Sequence, residues 1–436
     1  MQGTFKKVLG AALLALAGLS VVGQDAQGLD PLLKLLVENK VITMEQAQAV
    51  QAQYDAQKAQ KEQQSKTEVK QAVTETLAAN PPKAELPDAL KGLKIGGLMY
   101  LSYQNGEKYA GVANQTSSYS DVLLKRGYFD VQKDITPYLT SRFTTDITRD
   151  TTGDVKTRIK YMYGKFHWKG NDIFASPYVE FGQVHMPWLD FEEAINGFRM
   201  QDEMFIERNG IFNSADVGVM AGSNFGKDLP DWYKKEVNGA YAGRYGSWQL
   251  GVYTGAGYHA AENNMNKVIE ARFSVRPFPN TVPGLQFTLF GIDGKGNVAK
   301  QPNKDLPDWT TFIGMASYES KHFTTTAQYF SGKGNQAGSA LNLDGSARKQ
   351  KGYSLFANVR LLDSAKLGLI GRFDHFDPNP DGLNGTLDDI QKTTIAGISY
   401  TMFKQNKWLL DYQVKQHDDP KIPDEKRVQL TLQMSF

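Results

Sequence analysis

No cysteine occurs anywhere in the 436 residues. That absence rules out a disulfide framework, a thiolate metal site, a cysteine nucleophile and haem attachment through C-x-x-C-H. Histidine is scarce: His167, His185, His259, His322, His375 and His417 are far apart, and no two have the i, i+4 spacing by which H-E-x-x-H holds zinc. No serine stands in a G-x-S-x-G elbow, and the G-x-G strings at 255–257 and 294–296 lack a strand-to-helix setting and read as turn glycines. Catalysis, a bound metal and a cofactor are therefore not expected. Charge of one sign is also missing: the formal net charge is +2, with no strong field to attract nucleic acid. Long apolar runs are missing too. The only extended one, Val8 to Val22, stops short of the ~20 residues a spanning helix needs, and a mean hydropathy of −0.44 leaves no room for several such helices.

What is present falls into three parts. Residues 1–23 carry Lys6 and Lys7, the apolar run and then small residues around Gly23, the order of a secretory signal peptide. Its removal takes away two of the 49 basic residues and none of the 47 acidic ones, leaving a mature chain near neutrality. Residues 24–90 form a periplasmic helical segment and a linker. Gln, Ala, Lys and Glu dominate here; Leu32, Leu33, Leu35 and Leu36 give a short apolar face, and Thr43 with Gln46 makes a capping box that starts a longer helix. The apolar positions Ala47, Val50, Tyr54, Val69, Val73 and Leu77 are interrupted by the polar stretch Gln57 to Lys66, which suits either a trimerising or cell-wall-touching stalk or a solvated spacer. Asn80, Pro81, Pro82 and Pro87 end the helix.

From residue 91 to 436 the period becomes two. At the C-terminus Val428, Leu430, Leu432, Met434 and Phe436 alternate with Arg427, Gln429, Thr431, Gln433 and Ser435. The same dyad places Leu139, Phe143 and Ile147 opposite Thr140, Arg142, Thr144 and Asp146, and Trp408, Leu410 and Tyr412 opposite Leu409, Asp411 and Gln413. With 41 Gly, 20 Tyr and 23 Phe, the pattern predicts an all-β transmembrane antiparallel β-barrel of about 16 or 18 strands, apolar toward lipid and polar toward the lumen. Short connections are expected at Thr136-Pro137, Gly170-Asn171, Gly246-Ser247, Asp363-Ser364 and Gln405-Asn406, against long loops near 105–121, 295–308, 333–350 and 378–389. Tyr138, Trp168, Tyr245, Trp248, Phe278, Phe403 and Trp408 sit beside the short turns, as an interfacial girdle would.

The lumen face then carries the chemistry. Arg142, Lys156, Arg158, Lys160, Arg244, Arg272, Arg276 and Arg372 are the candidate pore-lining, anion-attracting residues, joined by Arg360, Lys415 and Arg427 and opposed by Asp146, Glu180, Glu270, Asp374 and Asp411. Lys156, Arg158 and Lys160 on one strand form the expected core of a basic wall, and such a wall selects by sign; the alternative is a mixed, salt-bridged wall with little selectivity. The segment from Met186 to Asn213, with Glu192, Glu193, Arg199, Asp202, Glu203, Glu207 and Arg208, is the candidate constriction loop, with a plain external loop as the competing reading.

Gly182 to Trp188 (G-Q-V-H-M-P-W), Met204 to Arg208 (M-F-I-E-R), Asp216 to Met220 (D-V-G-V-M) and Leu124 to Phe129 (L-K-R-G-Y-F) together resemble the phosphate-selective porin O and P family of Gram-negative outer membranes. The resemblance implies a porin passing small hydrophilic or anionic solutes by diffusion. The loop departs from the dense Arg and Lys ladder that a phosphate-selective member implies, since it is about as acidic as basic. The expected protein is thus a water-filled channel in outer-membrane lipid, a homotrimer with its N-terminal segment in the periplasm, handed to the barrel assembly machinery through the strand ending at Phe436. The rival reading is a barrel sleeve around a partner such as a multihaem cytochrome.

Overall fold

The computed structural model describes residues 30–79, 87, 90–150, 152–361, 366–382 and 389–436. The proposed signal peptide, most of the linker and the turn at Asp363-Ser364 lie outside them. The chain divides into two compact units, residues 1–86 and 87–436.

The first unit is helical. α1 (Pro31–Glu38) begins with Pro at its first position and the Asp30 carboxylate accepting from the Leu32 amide, which satisfies one of the orphan donors of a helix start. α2 (Met44–Ala79) opens on the expected capping box: the Thr43 amide donates to the Gln46 side chain at 2.9 Å and the Gln46 amide to the Thr43 hydroxyl at 3.2 Å. The helix runs unbroken through the polar stretch. Ala47 is its only buried apolar residue among those described, while Val50, Tyr54 and Val69 stay exposed.

The second unit is a closed barrel of sixteen strands among the described residues: β1 (Leu93–Tyr109), β2 (Thr116–Thr136), β3 (Leu139–Arg149), β4 (Val155–His167), β5 (Tyr178–His185), β6 (Ala215–Phe225), β7 (Gly246–Tyr253), β8 (Val268–Val275), β9 (Leu285–Lys295), β10 (Asp308–Glu319), β11 (Phe323–Lys333), β12 (Lys349–Leu361), β13 (Leu367–Asp377), β14 (Gln391–Phe403), β15 (Asn406–His417) and β16 (Glu425–Ser435). Each pairs antiparallel with its neighbour in sequence, and β1 pairs with β16 from Leu98↔Ser435 to Glu107↔Lys426. Closure leaves no sheet edge unpaired. The alternation is as expected, with Leu101, Phe143, Leu410 and Leu430 facing outward and exposed, and Ser102, Asp146, Asp411 and Gln429 facing inward and buried. Ser102 meets Thr431 at 2.8 Å and Gln104 donates to Gln429 at 3.0 Å across the closing seam, a polar ladder on the inner wall.

Two loops differ from the expectation. The hairpin of β1 and β2 stays paired to Tyr109↔Thr116, so most of 105–121 is strand and only 110–115 is loop. Gly246 and Ser247 open β7 instead of forming a turn. The connection there is the whole of 226–245 and holds a short helix, α5 (Asp231–Glu236); α3 and α4 belong to the segment described next.

Candidate pore constriction

Between β5 and β6 the chain leaves the wall and enters the barrel. Met186, Trp188, Leu189 and Phe191 are fully buried, as are Met200, Met204 and Ile206. They include parts of α3 (Leu189–Ile195) and α4 (Phe205–Arg208). The reason lies on the facing wall, where several inward positions of β9 to β13, among them Phe290, Trp309, Phe330, Phe356 and Phe376, are apolar where polar ones were expected. Trp188 packs on Phe290 with ring centroids 5.5 Å apart, Phe212 on Phe290 and Trp309 at 5.6 and 6.3 Å, Phe205 on Phe330 and Phe376 at 6.4 and 6.2 Å, and Phe198 on Phe356 at 6.0 Å. These aromatics supply large buried area and offset ring geometry. The loop therefore fills one side of the lumen.

Charges fix its other edge. Arg199, 7% exposed, lies 2.9 Å from Glu193, 2.8 Å from Glu207 and 4.0 Å from Glu203. Glu203 also meets Arg126 of β2 at 3.0 Å, and Arg126 holds Asp146 at 2.7 Å. Asp202 pairs with Arg427 of β16 at 3.1 Å and with Arg208 at 3.7 Å. Arg208 forms a further short contact with Asp374, whose second partner is Arg372 at 2.7 Å. Lys125 donates to the Met200 and Gln201 carbonyls at 2.8 and 3.1 Å. Burial raises the proton affinity of Asp202, but Arg427, Arg208 and Lys125 outweigh it and hold the carboxyl well below the usual range. Glu192 differs. It accepts from the Trp188 indole and from Gln328, both at 2.8 Å, and burial pushes its carboxyl up to about 7.

The predicted wall residues are not one ladder. Arg142 pairs with Asp130 at 2.7 Å and lies 3.1 Å from His185. Lys156 pairs with Asp150 at 2.7 Å at the loop end of β4. Arg158 reaches His259, whose imidazole burial and Arg158 depress to about 4, so the guanidinium has a neutral partner at pH 7. Lys160 is the extra residue of a β-bulge between the Thr144↔Tyr161 and Thr145↔Ile159 pairs, its ammonium 4.8 Å from the Tyr128 ring and 5.3 Å from that of Tyr161. Arg272 is buried with Gln249, Ser247 and Ser274 as partners and with the Phe191 and Tyr241 rings 4.1 and 4.8 Å away, so it props α3. Arg276 follows the end of β8 and lies over the Tyr233 ring of α5, while Arg244 sits before β7 and bonds Asn280. These last two belong to turns, not strands, because β7 starts only at Gly246 and β8 ends at Val275.

Sequence reasoning missed Lys125 and Arg126 as a lumen pair. Both point inward because Lys125 is the bulged residue between Tyr100↔Arg126 and Leu101↔Leu124, and a bulge re-aims a side chain. The signal was two consecutive basic residues inside a period-two strand, one of which would otherwise face lipid.

Two neighbouring chambers remain open against β1 to β7, the first reaching also to the turn between β14 and β15 and to Phe436. One, about 790 Å³, is lined by Tyr100, Asp130, Arg142, Lys160, Asp190 and Glu193, among others; the second, about 550 Å³, shares Arg142 and Asp190 and adds Lys165, Glu180 and His185. Polar space thus remains beside the loop at the turn end of the barrel.

Solved structures similar in fold include outer-membrane proteins of three genera. An anion-selective porin from Comamonas acidovorans shares 11% identity over 79% of this chain and 99% of that one, with a TM-score of 0.52. The outer-membrane channel DcaP of Acinetobacter baumannii shares 13% over 79% and 97%, also at 0.52. Salmonella typhi OmpF, in complex with daunomycin, shares 12% over 79% and 97%, again at 0.52. The likeness is one of fold. No protein-family model and no curated protein matches the chain, so the resemblance to the phosphate-selective O and P family rests on its motifs alone.

Proposed function

We propose that the chain is an outer-membrane porin: a water-filled channel through which small hydrophilic solutes diffuse, narrowed by the segment 186–214. The observation that carries this reading is the inversion of the wall, apolar outside and polar inside, around an internal loop that leaves polar chambers beside it. The loop occupies space that a threaded protein partner would need, which disfavours the cytochrome sleeve.

An anion preference belongs to the proposal. Among the described residues, Arg158, Lys160, Arg244, Arg272 and Arg276 have no carboxylate within ion-pair distance, whereas Arg142, Lys156 and Arg372 do. Phosphate is one small anion that such a wall would admit. A homotrimer is supported by the low wall of β5, β7 and β8, each 8 residues long. A spanning strand needs about 9–11, so a neighbouring copy is the natural cover for that side. The proposal also keeps the signal peptide, a periplasmic helical unit, and recognition by the assembly machinery through β16, whose Phe436 exchanges backbone hydrogen bonds with Gly97 of β1. Swelling of vesicles loaded with the refolded protein tests it: uptake of small sugars that falls off steeply with solute size supports a porin, and vesicles as tight as protein-free ones refute it.

A further inference from the structure

A third chamber, about 550 Å³, lies at the turn end of the barrel beneath the loop, adjoining the first chamber, with which it shares Lys404 and Gln405. Its lining includes Lys234, Lys321, Arg360, Lys404 and Lys407 against two carboxylates, Glu236 and Glu319. Two of those cations already have acid partners, Lys234 with Asp228 and Asp231 at 3.1 and 3.2 Å, and Lys321 with Glu236 at 3.7 Å. The other three do not. Among the described residues, Arg360 donates only to neutral acceptors, the Ser320 and Lys321 carbonyls at 2.9 and 3.2 Å and the Thr324 hydroxyl at 2.9 Å. Lys407 donates to the Gly197 carbonyl at 2.8 Å with its ammonium 4.3 Å from the Phe198 ring. Lys404 lies over the Phe403 ring. An ammonium has three donors, so Lys407 keeps N–H groups for a ligand, and its one protein bond ties it to the constriction loop.

We infer that this chamber is an oxyanion-binding site: a vestibule where a small solute bearing a carboxylate or phosphate group lodges between Arg360 and Lys407 on its way through the channel. Three cations without an ion-pair partner, in a recess whose two carboxylates are taken up by Lys321 and by the Asn238 amide, favour an anion among them, and charged hydrogen bonds to carboxylate or phosphate are the strong kind. The volume, at roughly 30 Å³ per displaced water, suits a dicarboxylate or a sugar phosphate better than a chloride ion. As a solute station this rests on the porin reading, but as a binding site it does not.

Two measurements separate them. Isothermal titration of the refolded full-length protein in detergent with inorganic phosphate, and separately with succinate, reads the site directly. Saturable binding of either anion is expected, weakened roughly tenfold or more in Lys407→Gln and in Arg360→Gln, kept in Arg360→Lys, and unchanged in Lys300→Gln, an exposed position in the 296–307 loop at the other end of the barrel. Which anion binds more tightly identifies the oxyanion. No saturable binding of either anion, or equal binding by wild type and Lys407→Gln, overturns the inference. Lys407→Gln guards against misfolding as the explanation, because it removes only the Gly197 carbonyl bond and the contact with the Phe198 ring. The same anions should reduce chloride current in planar bilayers over the same concentration range. Binding without any conductance would leave the site standing and sink the porin reading; conductance without binding would do the reverse.

Discussion

Arg199→Met is the sharpest single perturbation of the constriction. The guanidinium is 7% exposed and is surrounded by Glu193, Glu203 and Glu207 at 2.9, 4.0 and 2.8 Å. Methionine keeps the length of the side chain and removes the charge. Three carboxylates are then left close together, with Arg126 alone reaching Glu203 at 3.0 Å. Removing one partner of a buried ion pair costs about 3–5 kcal/mol, and at 1.4 kcal/mol per factor of ten that shifts the balance between docked and undocked loop by roughly 10² to a few times 10³. The loop's aromatic contacts with β9 to β13 remain, so the barrel still assembles while the edge near β2 and β16 comes loose. Single-channel recording should show higher mean conductance with added noise, and limited proteolysis should cut within 196–208. The triple variant Arg199→Met with Glu193→Gln and Glu207→Gln should restore quiet, wild-type-like conductance, since it leaves no uncompensated charge. If Arg199→Met conducts like wild type and resists protease equally, the charge network does not hold the loop.

The remaining predictions follow from the same geometry. Glu192, pushed up to about 7 by burial, is favoured in its neutral form in the folded state; its contribution is fully present below about pH 4.5 and is lost as pH rises through about 7. That corresponds to roughly 3 kcal/mol at one pH unit per 1.36 kcal/mol, so channel noise should grow from pH 5 to pH 8, and Glu192→Gln should flatten the dependence. Reversing Lys156, Arg158 and Lys160 to Glu should move the reversal potential toward cation preference, with Arg158→Glu contributing more than Lys156→Glu, because Lys156 is already neutralised by Asp150 at 2.7 Å. Equal effects of those two single variants would contradict the pairing. Deleting Phe436 should slow barrel assembly, read as delayed appearance of the heat-resistant, fast-migrating band on gels.

The barrel was legible because a wall between lipid and water forces strict alternation, and Val428 to Phe436 shows it without a break. The helix start at Thr43 was legible for an equally local reason, a side chain and an amide three residues apart. Bulges broke the reading. A single extra residue at Lys125 and at Lys160 changes which side chains face inward, and no local pattern marks the slip except a polar residue where lipid should be. The loop's charge marked it out in the sequence, but the apolar dock opposite it was not legible there. Phe290, Phe330, Phe356 and Phe376 occupy inward positions that the polar-lumen rule reserves for hydrophilic residues, and only the fold shows that another segment of the chain covers them. Pairing was the third gap: the basic count suggested a ladder, yet Asp130, Asp150 and Asp374 each answer one of its members, and such partners are set by cross-strand geometry.

The central claim, a hydrated channel biased toward anions, is tested most directly by the single-channel conductance and reversal potential of the refolded mature protein under a salt gradient. The account predicts a stable open channel whose reversal potential has the sign of anion preference. A correctly folded barrel that carries no current would contradict it, and a conducting channel with cation preference would contradict the assignment of Arg158, Lys160 and their neighbours to the selective wall.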